Sequence, residues 1–300
     1  MNSFDVCSYN LGTKVDDYLL LCKHNHPAGF KAREQAFRGK YRSAQAETTR
    51  LLLASQASVY CLQEVSHDNR PLITALKEKN FEIIHFGGIK NFDTAVALDK
   101  RRFKNITNHS IITRINKHHE KDIAIATATD SLTGQKVTFV SAHAPGFNFT
   151  QTINQTTTQK GDDYCQKIAK KLSEIGQNTI QIIGSDMNAN PEKWNPRFKI
   201  FSNQGFQTQR TNLATNVNPR DSHDQEREID FFFTKGIRMT LWQRIKSIFV
   251  STFHFNPRIK FDNTINFDET KNASDHLPIF MNVAFKKKTS KIKQLWHLVF

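Results

Sequence analysis

No stretch of this 300-residue chain approaches the ~18 to 20 consecutive apolar residues that a membrane-spanning helix needs. The N-terminus also lacks a basic region followed by an apolar one, so no cleaved leader is expected, and the first strand-like run, Phe4–Tyr9, starts almost at Met1. Cytoplasm is the default expectation, although export by a non-cleaved signal would leave no such trace. Cysteine is scarce: Cys7, Cys22, Cys61 and Cys165 show no C-x-x-C spacing and no adjacent paired histidines, which speaks against a zinc site. Cys7 and Cys61 lie inside apolar runs, where a thiol packs as a small hydrophobe. Acidic residues are outnumbered, 28 against 42 Lys and Arg, a formal charge of +14. That balance favours polyanionic partners: nucleic acid, an anionic membrane surface or phosphorylated small molecules. Neither an internal repeat nor a break in composition marks a second domain, and 38% hydrophobic content suffices for one large core.

What is present is an alternation of short runs rich in Val, Ile and Phe with polar helical stretches, the pattern of an α/β protein. The runs predict strands over Phe4–Tyr9, Ser58–Gln63, Glu82–Phe86, Thr94–Ala97, Ile123–Thr129, Val137–His143, Ile180–Ser185, Ile229–Phe233 and Ile279–Phe285. The segment Asp130-Ser131-Leu132-Thr133-Gly134 between two of them suits a β-hairpin, which implies an antiparallel element. Helices are expected over Arg42–Gln56 and Asp162–Gly176, the second with Ile168, Leu172 and Ile175 at helical spacing and Gly176 as its stop. The Thr-, Asn- and Gln-rich stretch from Gly146 to Gly161 has neither period and reads as a surface loop.

Polar residues close these apolar strands in a consistent way. Ser-Tyr-Asn10 ends the first, Leu-Gln-Glu64 the second, Ser-Ala-His143 a later one and Gly-Ser-Asp186-Met-Asn188 the next, while Ser-Asp275-His276-Leu-Pro precedes the last. Each alone has a structural account: Asn10 as a turn former, Glu64 as a solvated strand end, Asp186-x-Asn188 as an Asx turn, His143 as a hydrogen-bonded core histidine. Burying apolar strands requires no such endings, and side chains at strand ends converge on one rim of a sheet.

In this order the motifs resemble the endonuclease/exonuclease/phosphatase superfamily, the deoxyribonuclease I-like fold. The resemblance runs from Tyr9-Asn10 through Leu62-Gln63-Glu64, Ala142-His143, Gly184-Ser185-Asp186-Met187-Asn188 and Glu228-Ile229-Asp230-Phe231 to Ser274-Asp275-His276-Leu277-Pro278. It implies a four-layered α/β sandwich, two packed mixed β-sheets flanked by helices, over residues 1–285, with 286–300 as a basic amphipathic tail. It further implies a phosphoesterase that uses Mg²⁺, with Mn²⁺ as a substitute. Glu64 would be the main metal ligand, completed by Asn10 and Asp275, since hard oxygen donors suit that ion. His276 would act at the scissile phosphate, oriented by Asp230. His143 and Asn188 would hold its oxygens, and Asp186 would position water or assist the leaving group. The sequence departs from the family at Ser185, where many relatives have Gly before the Asp.

The family's shared site recognises a phosphate, so the substrate is left to the surrounding loops. The tryptophan-containing signatures of inositol 5-phosphatases are absent around Asp186 and Asp230, and Arg227-Glu228-Ile229-Asp230-Phe231-Phe232 is more similar to nucleases, so a nuclease is the first expectation. A lipid phosphoesterase is the alternative, because ten of the formal +14 charges lie in 237–261 and 286–300, neither of which contains an acid. Both segments have amphipathic helical faces, Leu241, Ile245, Ile248 and Phe249 in one and Ile292, Leu295, Trp296 and Val299 in the other, which would pack on the domain or lie on an anionic membrane. A non-catalytic module of the same fold is the third reading, disfavoured because Glu64, Asp186, Asp275 and His276 are all present.

Overall fold

The computed structural model describes residues 3–12, 45–46, 48–65, 69–85, 93–116, 119–145, 155–176, 179–189, 191, 196–210, 228–237, 276 and 278–285. Their strands form two mixed sheets. In the first, of five strands, the order is β12-β1-β2-β4-β3, with β1 Ser3–Asn10, β2 Val59–Gln63, β3 Phe81–Ile84, β4 Thr94–Asp99 and β12 Ile279–Ala284. The second, of seven, runs β10-β11-β9-β8-β7-β5, with β6 paired to β7. Its members are β5 Phe103–Asn108, β6 Ile111–Asn116, β7 His119–Asp130, β8 Lys136–His143, β9 Ile180–Asp186, β10 Gln207–Gln209 and β11 Asp230–Lys235. Each sheet has one parallel pair at its centre, β1 with β2 and β8 with β9, and the other pairings are antiparallel.

The central strands are buried on both faces, which is why they read as nearly continuous apolar runs. Alternation sorts their side chains between layers. Phe4, Val6, Val59, Cys61, Val96, Leu98, Ala124, Ala126, Phe139 and Ile182 fill the space between the sheets. Cys7, Tyr9, Tyr60, Leu62, Ala95 and Ala97 face outward against helical residues 48–54 (α1) and helix α2, Arg70–Glu78, which contribute Leu52, Leu72 and Leu76. On the far side Ile123, Ile125, Val140, Ile183 and Phe231 pack on α3, Gln155–Ile175, and α4, Pro196–Ser202, through Tyr164, Ile168, Leu172 and Phe198. Helix, sheet, sheet and helix make the four expected layers.

Most expected strands are observed within a few residues, as is the hairpin at Asp130–Gln135 and the stop at Gly176, whose φ of +118° only glycine adopts readily. The region expected to be a surface loop is helical from Gln155 onward. A helix already nucleated by its sheet-facing stripe propagates at little cost into polar residues that show no apolar period. Strands β5, β6 and β10 and helices α2 and α4 are additional. The terminal segment 286–300 and the basic segment 238–261 lie outside the described residues, and no described helix is long and apolar enough to cross a membrane.

Near the rim that carries the strand ends, the inter-sheet space turns polar. Gln63 donates from Nε2 to Ser8 Oγ (3.2 Å), Ser141 Oγ (3.0 Å) and the Gly184 carbonyl (3.3 Å), tying β2 to the opposite sheet. Here the sheets approach so closely that a Cβ on Gly184 would meet Cys61 Cβ at 2.7 Å and Ser8 Cβ at 2.9 Å. The neighbouring departure from the family pattern is accommodated: Ser185 is buried with its hydroxyl donating to the Phe231 carbonyl at 3.1 Å. Gly184→Ala should therefore lower stability by about 1 to 3 kcal/mol through overpacking, read as a lower urea midpoint at unchanged slope. An unchanged midpoint would mean that the sheets part there without cost.

Candidate active site

The two parallel pairs end on the same rim, and the inner-face alternation of each strand delivers one polar side chain there. Val6, Ser8 and Asn10 follow at intervals of two on β1, as do Phe139, Ser141 and His143 on β8 and Ile182, Gly184 and Asp186 on β9. Glu64 follows β2 directly, in the left-handed region at φ 51°. That conformation costs a non-glycine residue about 1 kcal/mol, and here it belongs to a residue at the rim where the polar ends meet.

Asn10, fully buried, joins the two sheets: Nδ2 donates to Glu64 Oε1 at 3.1 Å and to Asp186 Oδ2 at 2.8 Å. Its amide orientation is set by Gly12, whose N–H donates to Asn10 Oδ1 at 2.7 Å. A side chain on Gly12 would meet Glu64 Oε2 at 2.5 Å, so any larger residue there would displace the Glu64 carboxylate. Asp186 is fixed from its other side by Asn188, in the left-handed region at φ 44°, whose N–H donates to Oδ1 (2.7 Å). This is the Asx turn weighed above. The Asn188 amide, which the resemblance assigns to a phosphate oxygen, is directed in the structure to the Ala144 carbonyl (3.1 Å) and to Asp186 Oδ2 (3.2 Å).

Two histidines face Asp186. Nε2 of His143 and Nε2 of His276 each lie 3.8 Å from Asp186 Oδ2. Behind them, each Nδ1 meets a carboxylate: Asp230 Oδ2 at 2.9 Å for His276, as expected, and Asp93 Oδ1 at 2.8 Å for His143. Asp93 was not legible as a site residue, nor was Lys121, whose Nζ lies 3.0 Å from Asp93 Oδ2 and 2.9 Å from His143 Nδ1 and donates to the His143 carbonyl at 3.2 Å. Burial pushes the Asp93 carboxyl up, but His143 and Lys121 beside it hold it well below the usual carboxylate range. For His143 burial works against the imidazolium, yet Asp93, helped by Glu64 at 3.5 Å, raises its pKa above the ordinary value. Asp122 accepts the N–H groups of Asp93 (2.7 Å) and Thr94 (3.0 Å), and burial pushes its carboxyl to about 6.

A rule that inspects only strand C-termini misses Asp93 and Lys121 because β4 and β7 run antiparallel to β2 and β8, so their starts lie on the same rim. The signal available is a charged residue opening an apolar strand: Asp93 before β4, Lys121-Asp122 before Ile123. Asp275 lies outside the described residues; the other seven expected positions are brought together. Glu64, His143 and Asp186 offer ligand atoms within 4.8 Å of one another, and Asp186, Asp230 and His276 do the same. A divalent cation fits such donors, the half-exposed Glu64 carboxylate above all.

This architecture is the endonuclease/exonuclease/phosphatase fold, the deoxyribonuclease I-like sandwich that the motifs resemble. Among solved structures, a family protein of that description from Bacteroides thetaiotaomicron superposes with a TM-score of 0.59 at 13% identity, covering 95% of this chain and 98% of its own. D. rerio TDP2 complexed with a single-strand DNA product gives 0.56 at 16% identity, over 95% and 100% of the two chains. A mannosyl-6-phosphatase from Bacteroides thetaiotaomicron gives 0.53 at 15%, over 78% and 85%. No family model matches the sequence, and no curated protein matches it.

The loop that carries Asp186 and Asn188 rests on a buried guanidinium. Arg197 of α4 donates from Nη1 to the Met187 carbonyl (2.5 Å) and the Asn188 carbonyl (3.4 Å), and its Nε lies 3.4 Å from Asp162 Oδ1 of α3. It stacks where α3 has Gly161, on which a Cβ would come within 1.8 Å of Nη2. Arg197→Met removes the guanidinium from beside Asp162 and a donor from two carbonyls, which should cost on the order of 3 kcal/mol. Gly161→Val should displace the same guanidinium. A thermal melt unchanged by both substitutions would show that the arginine does not hold this loop.

Proposed function

We propose that the protein is a Mg²⁺-dependent phosphodiester hydrolase acting on nucleic acid, with Mn²⁺ as a substitute metal. The observation that carries the reading is the pair of imidazole Nε2 atoms, each backed by a carboxylate and each 3.8 Å from Asp186 Oδ2, beside Glu64. A phosphodiester is anionic and repels an incoming hydroxide, so its hydrolysis needs positive charge on the phosphoryl oxygens and a positioned water. When bound, the metal supplies part of that charge. Glu64 is its proposed main ligand, with Asp275 and Asn10; through Nδ2, Asn10 also aligns the Glu64 carboxylate.

His143, whose proton affinity is raised, donates from Nε2 to a non-bridging phosphoryl oxygen. Asp186 Oδ2 accepts a hydrogen bond from the attacking water and orients it, and Asn188 keeps that carboxylate turned toward the phosphate. His276, held by Asp230 at Nδ1, presents Nε2 to the scissile phosphate. The nucleic-acid reading is supported by the formal +14 charge and by the single-strand DNA bound to a protein of this fold.

Assaying DNA, RNA, phosphoinositides and sphingomyelin, each with and without Mg²⁺, tests the reading directly. Metal-dependent release from DNA or RNA is expected, and turnover of a lipid in their place would replace it. Glu64→Gln should lower Mg²⁺-dependent activity by at least about a hundredfold while the fold survives. Full turnover by that variant at low Mg²⁺ would remove the metal assignment.

His276 and Asp230 supply a separate check. Alanine at either should cripple turnover, and the double variant should be little worse than the worse single one, because groups acting as a unit are not additive. Multiplying losses would show that the pair does not work together.

A further inference from the structure

Beside the catalytic rim, α3 and β6 enclose a groove of about 290 Å³ lined by Arg114, Lys160, Lys167 and Lys170, with Asp163 as its acid among the described residues. Lys160, Asp163, Lys167 and Lys170 share one flank of α3 at helical spacing, while Tyr164, Ile168 and Leu172 face the sheet. From Lys160 to Lys170 the helix advances about 15 Å, the length of several consecutive phosphates. Lys167 donates from Nζ to Thr113 Oγ1 at 2.6 Å, which anchors its ammonium over β6 and leaves its other hydrogens for an anion.

The wall of the groove is linked to the site by two buried contacts. Thr113 pairs across the sheet with Lys121, which reaches His143, and Tyr164 of the same helix accepts the His143 N–H at 3.0 Å. Lysines at i and i+3, such as Lys167 and Lys170, repel one another on a helix. The local acids offset little of this: Arg114 meets Glu120 at 3.3 Å on the exposed surface, and Asp163 is a single charge. The larger cavity of about 570 Å³, at the opposite end of β8 and β9, has no such excess; there Lys171 is engaged by Glu174 at 3.3 Å.

The geometry points to the α3–β6 groove as a phosphate track that takes the strand flanking the scissile bond, which makes the substrate a nucleic-acid strand rather than a small phosphoester. This rests on the hydrolase reading above and assigns the ligand to a surface that the chemistry itself does not use. A strand leaving the site past His143 passes over the buried Lys121 and Thr113 and meets Lys167, Lys170 and Lys160, with Arg114 opposite. Contacts of this kind bind phosphates regardless of base, so affinity without sequence preference is expected.

The test is binding without turnover. Fluorescence anisotropy of a labelled single-stranded DNA of about 20 nucleotides is measured in EDTA with the full chain, for wild type and for the triple variant Lys160→Glu, Lys167→Glu, Lys170→Glu; Arg114→Glu is a second variant on the other wall. Affinity should fall at least about tenfold in the triple variant, and the dependence of log K on log salt should become shallower by about 2, as expected for losing three phosphate contacts. A melting temperature equal to that of wild type shows that the variant is folded; should the triple variant fail to fold, Arg114→Glu carries the test alone and must weaken binding. Wild-type protein that does not bind the strand, or folded variants that bind it as wild type does, would overturn the track. Loss of binding to anionic vesicles with strand binding unchanged would overturn it in favour of a lipid surface. Cleavage of a small soluble phosphodiester with Mg²⁺ tests the hydrolase reading separately: a strand bound through the groove but no diester hydrolysed leaves the groove standing and removes the catalysis.

Discussion

The amide of Asn10 holds the site together, because one nitrogen bonds a carboxylate from each sheet: Glu64 after β2 and Asp186 at the end of β9. Two carboxylates so close repel, and a neutral donor between them reduces that repulsion without introducing a charge that would compete with a cation. The arrangement works only if Asn10 cannot turn over. Its oxygen is therefore tied to the Gly12 N–H, and the missing side chain of Gly12 leaves room for the Glu64 carboxylate. Gln63 repeats the device one layer deeper, where its amide reaches Ser8, Ser141 and Gly184 between the sheets. Side-chain amides thus fix the distance between the sheets on which every distance in the site depends.

That distance would be useless without a common direction. Each sheet places its parallel pair centrally, so four strands finish on one rim, and the antiparallel neighbours β4, β7, β11 and β12 start there. Side chains that stand on the inner face at the rim become apolar if followed back down the strand, which anchors each polar group to a packed core. Helices outside the sandwich act at second hand: Tyr164 of α3 receives the His143 N–H, and Arg197 of α4 holds the loop after Asp186.

How much of this was legible follows from the same geometry. Strands buried on both faces announce themselves as apolar runs, and a polar residue at the end of such a run is conspicuous; hence Asn10, Glu64, His143 and Asp186 could be found, whereas Asp230, which opens β11, was reached only through the motif Glu228-Ile229-Asp230-Phe231 that carries the family resemblance. Asp93 and Lys121 could not, because the start of an antiparallel strand looks like any loop-to-strand boundary until pairing is known. Arg197 and Gly161 were hidden for a different reason: a buried arginine is recognised by what surrounds it, and its partners lie on another helix and on the loop that precedes its own. Edge strands β5 and β6 escaped since one exposed face dilutes their apolar content, and α2 because it offers only two buried leucines in nine residues.

Those illegible elements are also where recognition is expected to lie. A site built from inner-face side chains is nearly invariant in shape, for any change there disturbs the core beneath it. Surfaces such as the β6 edge and the flank of α3 carry no such burden, and their charges can be set by the ligand alone. The chemistry of the protein is consequently written in the apolar periodicity of its central strands, whereas its choice of substrate is written in residues that obey no periodicity except that of the helix bearing them.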